Sequence, residues 1–316
     1  MALDTAQLDR ACGVLLAGAA GDALGAGYEF GPALPDDATV AMTGGGAFDW
    51  SAGEWTDDTS MAIAIAEVAA SGADLRDPPA QDRLVARWVE WAASATDVGT
   101  QTRYVLTEVD GGGAAAAVAA AWDLHQRTGR SGGNGSLMRT GPVALSYLDS
   151  PAALASAARS ISNLTHFDPE AGDACVLWCL AIRHAVHTGS LDVRVGLDAL
   201  PDGRRSLWSQ RLSDAEAARP RDFSRNGWVV EALQAAWCAI ATTPTGRDHL
   251  RRALESAVRG GGDTDTVAAI AGALLGATYG ASAVPPEWRQ ALHGWPGLHA
   301  TDLADLAVRI CQGSRA

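Results

Sequence analysis

Apolar residues recur at helical spacing along most of the chain. Residues 8–25, 58–71, 81–95, 113–128, 136–148, 151–162, 170–188, 228–242, 247–259 and 264–280 carry an i, i+3, i+4, i+7 pattern or are apolar on every face. No segment shows the sustained two-residue alternation of a half-buried strand. The pattern predicts an all-α protein, a compact orthogonal helical bundle in which Ala and Gly let helix axes approach and Trp fills the wider gaps. Breaks fall over the Gly, Pro and Asp-rich residues 31–54, near Pro78, at GRSGGNGS, and over the charged stretch 201–227. None reads as a linker and no fixed-period repeat stands out, so one domain over 1–316 is expected, with its motifs between about residues 10 and 282.

Composition adds limits. The 316 residues are 47% hydrophobic, ample for a core, and the net charge is 24 − 37 = −13. That balance argues against nucleic acid and against an anionic membrane surface as partners, so an anionic ligand would need metal ions, backbone NH groups or helix N-termini. Cys12, Cys175, Cys179, Cys238 and Cys311 are odd in number and lie in apolar helices, which predicts reduced core thiols. Cys175 and Cys179 share a helix face, but no second Cys or His pair completes a zinc site. No basic and apolar leader and no run of about 18 apolar residues is read, which leaves the cytoplasm as the expected location and a monomer as the expected state.

Two acid-and-threonine clusters change the picture most. WTDDTS holds Thr56, Asp57 and Asp58; GGDTDT, about two hundred residues later, holds Asp263, Asp265 and Thr266. Neither contains Lys or Arg, and each runs into an apolar helix. A helix N-cap needs one side chain, whereas stacked carboxylates repel one another unless a cation offsets them. Folded face to face, the six residues would form an oxygen-only cage suited to hard divalent ions such as Mg²⁺ or Mn²⁺, and two ions could share it.

Other segments carry candidate chemistry, each with a plain structural alternative. Glu29 sits on the Gly-rich turn of GDALGAGYEF, either as a solvated acid or as a base facing the cage. SGGNGSLMR has glycines that would aim successive NH groups at an anion, or that simply form a turn; Arg139 within it pairs with phosphate or with a carboxylate. His166 in LTHFDPEA, Asp97 in ATDVGTQTR and Trp228 in NGWVVEAL read equally as capping or packing residues.

Taken in order, GDALGAGYEF, WTDDTSMA, DVGTQT, GGNGSLMR, LTHFDPEA, NGWVVEALQAAW and GGDTDTVAAIAGALLGATYG resemble the ADP-ribosylglycohydrolase family. The resemblance implies an all-α fold with a binuclear Mg²⁺ or Mn²⁺ centre below an ADP-ribose cleft. The metal ligands would be Thr56, Asp57, Asp58, Asp263, Asp265 and Thr266. Glu29 matches an acid with a catalytic role in the serine-acting branch, and Asp97 one in the bacterial branch similar to dinitrogenase reductase-activating glycohydrolase, which favours arginine linkage. Gly99, Thr100, Gly132, Gly133, Asn134, Gly135, Ser136, Met138 and His166 would hold ribose and pyrophosphate. Trp228 would stack on adenine where relatives often carry Tyr. The implied activity is release of ADP-ribose from a protein side chain, arginine above serine. The alternatives are a small ADP-ribose metabolite as substrate, or a silent ADP-ribose-binding relative. Residues 31–55 are a candidate gate.

Overall fold

The computed structural model describes residues 3–313. Among them are fourteen α-helices: α1 (Thr5–Gly25), α2 (Asp57–Ala70), α3 (Pro78–Ala92), α4 (Thr100–Glu108), α5 (Gly113–Thr128), α6 (Gly141–Ser146), α7 (Pro151–Asn163), α8 (Pro169–Thr188), α9 (Asp202–Glu216), α10 (Val229–Thr242), α11 (His249–Arg259), α12 (Thr264–Tyr279), α13 (Pro286–Ala291) and α14 (Ala300–Gly313). A single two-stranded ribbon, β1 (His293–Gly294) against β2 (Leu298–His299), closes the last turn before α14. The protein is an all-α orthogonal bundle.

Its axis is the pair α1 and α12, the most extensive helix contact in the fold. Both are apolar on every face because both lie inside, with α2, α8, α10, α11 and α14 packed around them. By length and composition α1 would span a bilayer, which corrects the expectation that no run reaches that length; 83% of its apolar window is buried inside the bundle. Glycines let the two backbones touch. A Cβ on Gly21 would fall 2.1 Å from the Ala268 carbonyl oxygen, one on Gly272 2.1 Å from that of Ala17, and one on Gly276 1.9 Å from that of Gly13. These contacts run in opposite directions along the two helices, so they are antiparallel. The C-terminal end of α1, with Asp22, therefore meets the N-terminal end of α12, with Asp265.

Three departures from the sequence pattern have physical causes. The stretch 136–148 yields a 3₁₀ turn at Asn134–Ser136 and only the short α6, entered through Pro142. The stretch 201–227, read as punctuation, contains α9, whose inward stripe is just Trp208, Leu212 and Ala215, too narrow for a periodicity signal. Helices α4, α13 and α14 were not anticipated; α14 covers α1 and α2. The five cysteines are buried in the core, as expected.

Arg139 takes neither predicted partner. Its side chain is fully buried, stacks 4.0 Å from the Trp88 ring centroid and donates to Thr165 Oγ1 at 2.7 Å, while Nε has no partner. Burial pushes its pKa down to about 9. A buried cation without a carboxylate is costly, so Arg139→Met is expected to unfold at the same or a higher temperature, checked by thermal denaturation.

Candidate metal centre and ligand cleft

Thr56 and Asp263 occupy the N-cap positions of α2 and α12, yet neither side chain makes a capping hydrogen bond. Capping is done at other helices, as by Asp4 on Gln7 N and Asp168 on Glu170 N. The clusters face each other instead. Asp58 Oδ2 accepts from Thr56 Oγ1 at 3.1 Å and, across the gap, from Thr266 Oγ1 at 3.2 Å.

Asp22, completely buried, frames this arrangement: Oδ1 accepts from Thr56 N at 2.9 Å, and Oδ2 from Thr59 N at 3.0 Å and Thr59 Oγ1 at 2.6 Å. It fixes where α2 begins. The sequence reading of GDALGAGYEF gave its Asp22 no role; its position three residues before Gly25, on the helix that crosses α12, was the available signal.

Carboxylate oxygens of Asp22, Asp58 and Asp265 lie within 4.8 Å of one another, and so do those of Glu29, Asp97 and Asp265. Asp265 belongs to both groups. Burial is the largest influence on every member. It pushes Glu29 up to about 9, with Asp263, Asp97 and Asp22 adding repulsion, and Asp22 up to about 6 against the pull of its Thr59 and Thr56 hydrogen bonds. Asp57, Asp58 and Asp265 are driven well above the usual carboxylate range by burial and then by neighbouring acids, and Asp97 is raised by burial and then by Asp263. Asp58 Oδ1 and Glu29 Oε2 are buried with no hydrogen-bond partner. Acids this crowded, with orphaned oxygens and no Lys, Arg or His in either group, fit hard divalent cations.

Over the acids opens a cleft of about 320 Å³, within the range of small-molecule sites. Glu29, Asp57, Asp97, Gly99, Thr100, Gly133, Asn134, Gly135, Met138, His166, Asp263 and Thr266 all line it. The GGNGS loop is held to the second cluster by Asn134, whose Nδ2 donates to Asp263 Oδ2 at 2.7 Å and to Asn226 O at 2.9 Å. His166 is buried, shares a 2.7 Å hydrogen bond between Nδ1 and Thr165 Oγ1, and is held well below the usual imidazole range by burial and by Arg139, hence neutral. Its ring supports the loop closely, since a Cβ on Gly133 or Gly135 would meet it at 3.1 Å.

Three of the residues expected to contact ADP-ribose do not line this cleft. Ser136 Oγ turns inward to Ser162 Oγ at 2.9 Å and Cys175 Sγ at 3.5 Å. Gly132 and Trp228 sit beside it, the half-buried indole donating to Glu170 Oε2 at 3.2 Å with Arg225 5.3 Å from its ring. In their stead the wall includes Phe30, Gln101, Thr102 and Gly227. Gln101 Nε2 clamps Ser131 O and Thr165 O at 3.0 and 2.9 Å; it lies four residues from Asp97, but nothing in its type announced the role. The candidate gate is pinned at several points: Phe30 N donates to Gly262 O at 2.7 Å, Leu34 N to Arg259 O at 2.9 Å, Arg259 Nε to Ala38 O at 2.9 Å, and Trp55 N to His293 O at 3.1 Å.

Residues 3–316 match the sequence profile of the ADP-ribosylglycohydrolases. The chain belongs to the ADP-ribosylglycohydrolase family. An ADP-ribosylarginine hydrolase Tri1 of Pseudomonas putida (strain GB-1) is 33% identical over 299 residues, covering 89% of this chain and 73% of that protein. The ADP-ribosyl-[dinitrogen reductase] glycohydrolase of Rhodospirillum rubrum is 30% identical over 287 residues, 89% of each. Human ADP-ribosylhydrolase ARH3 is 28% identical over 58% of this chain and 59% of its own. A solved ADP-ribosylglycohydrolase-related protein complex superposes with a TM-score of 0.73 at 29% identity, over 98% of this chain and all of that one. The bundle and its paired acid clusters are thus those of a metal-dependent glycohydrolase.

Proposed function

We propose that this ADP-ribosylglycohydrolase removes mono-ADP-ribose from arginine side chains of proteins, using two Mg²⁺ or Mn²⁺ ions. The observation that carries the reading is the convergence of Glu29 and Asp97, which line the cleft, on the buried Asp265. Thr56, Asp57, Asp58, Asp263, Asp265 and Thr266 would hold the ions, with Asp22 setting the approach of the two helices. When bound, such ions position ribose hydroxyls and lower the pKa of a coordinated water.

The chain's own groups would do the rest. Cleavage at C1″ of the distal ribose builds oxocarbenium character, with a carboxylate as general base taking a proton from the attacking water and a carboxylic acid protonating the departing guanidine. We assign these tasks to Asp97 and Glu29, both of which line the cleft. The GGNGS backbone and His166 would hold pyrophosphate or ribose, and Gly99 and Thr100 would contact ribose on the opposite wall. Arginine is favoured by the names of two relatives, the ADP-ribosylarginine hydrolases Tri1 at 33% and 30% identity over about nine-tenths of the chain.

The test measures free ADP-ribose from arginine-modified and serine-modified peptides with Mn²⁺, Mg²⁺ or chelator. Metal-dependent release from the arginine peptide alone is expected, with Asp97→Asn slower by about 10²–10⁴-fold, the usual worth of a general acid or base. Release from serine only would transfer the role to Glu29, and no release from either would leave a small ADP-ribose compound or simple binding.

A further inference from the structure

Asp57 and Asp97 belong to the walls of two hollows. Besides the cleft, a chamber of about 120 Å³ lies on their other side, walled by Trp50, Trp55, Trp91 and Trp295 with Glu54. That is roughly ten times the ~10–15 Å³ a single water needs. No lysine or arginine lines it, and Thr56, Ser60, Ser94, Ala95 and Thr96 complete the walls between the indoles and the carboxylates.

The tryptophans are held rigidly. Trp55 and Trp91 are 1% and 3% exposed, and Trp55 Nε1 donates to Trp295 O at 3.2 Å. Trp50 is fixed by its backbone, which exchanges hydrogen bonds with Gly45 at 2.7 and 2.9 Å, and by a tilted contact with Phe48 at 6.1 Å. Its indole Nε1 is buried without an acceptor. Trp295 also stacks on a planar cation outside the chamber lining, the Arg87 guanidinium, 4.8 Å from its ring centroid.

We propose that this chamber receives the guanidinium end of the modified arginine, with the scissile bond held between it and the cleft at Asp57 and Asp97. The inference rests on the arginine reading above. Aromatic faces and anions attract a flat cation, and a ribosylated guanidinium remains one; a serine oxygen gains nothing from either. The chamber thereby makes the aglycone, not the ADP-ribose, the basis of linkage selection.

The experiment uses the Mn²⁺-loaded protein with saturating ADP-ribose, titrated calorimetrically with N-acetylarginine amide and with its neutral isostere N-acetylcitrulline amide. The arginine amide is expected to bind about tenfold or more tightly than the citrulline amide. Trp50→Ala should weaken it about tenfold and raise KM for the arginine peptide by a similar factor with little change in kcat, and Trp50→Phe should restore both. Affinity for ADP-ribose alone should be equal in all three proteins, which certifies the fold. Equal binding of the two amides, or arginine-peptide release with KM untouched by Trp50→Ala, overturns the chamber and leaves the arginine reading standing. Absence of arginine-peptide release by the unaltered protein overturns that reading and this assignment with it.

Discussion

Asp265→Asn is expected to abolish the thermal stabilisation produced by Mn²⁺ or Mg²⁺ and to lower ADP-ribose release about a thousandfold or more. Asp265 is the carboxylate common to both acid groups, so its loss removes a ligand from each at once. Asparagine keeps the shape and an oxygen able to accept from Thr266 N, which Asp265 Oδ1 does now at 2.9 Å, so the start of α12 survives. A ligand at a hundred times its Kd stabilises the fold by about 2.7 kcal/mol, and that increment should vanish. Without metal the order reverses. Asp58, Glu29, Asp263 and Asp22 all repel a charge at this position, so the variant should unfold no earlier than the parent in chelator. Melting curves with metal and with chelator decide both points; metal stabilisation equal to the parent's would sink the ligand assignment.

The second large effect is steric. Gly25→Ala should lower both stability and metal affinity, because its Cβ would fall 2.4 Å from the Asp265 Cα and backbone N. No side chain there can swing away, so the end of α1 must part from the start of α12. Overpacking of this kind costs about 1–3 kcal/mol or more, beyond the ~0.5–1 kcal/mol that alanine gains over glycine inside a helix. The shift lands on Asp265, the proposed metal ligand, itself. Gly18→Ala, on the same helix, is the control: its nearest neighbour would be the Ala269 carbonyl oxygen at 3.7 Å, ordinary contact, and it should be neutral or slightly stabilising. Chemical denaturation and Mn²⁺ titration of the two variants give the comparison, and equal behaviour would refute close backbone packing as the site's frame.

Nine of the ten helical stretches were legible because their apolar faces are broad, and the clusters because acids and hydroxyls without countercharge are rare in apolar surroundings. What escaped has a common cause. Helix α9 buries three side chains, and Gln101 acts through two backbone carbonyls 30 and 64 residues away, so neither leaves a local trace. Arg139 was misread since its partners, Trp88 and Thr165, are met only in the folded core. Trp228 and Ser136 show the same limit from the other side: each stands in the right loop, but which way the side chain turns is set by Glu170 in one case and Ser162 in the other.

The α1 and α12 crossing also bears on how the protein is made. The two helices that carry Asp22 and Asp265 are separated by about 240 residues of chain. At roughly 5–20 residues per second, the ribosome delivers the second helix some 12–48 seconds after the first. Through that interval α1 has an apolar surface and no partner for its glycine face, so it must wait in a holding state or in a chaperone's grip. Capacity to bind metal would then arise late and abruptly, when α12 leaves the exit tunnel, and a nascent chain stalled before residue 264 would carry most of the helices and none of the metal affinity.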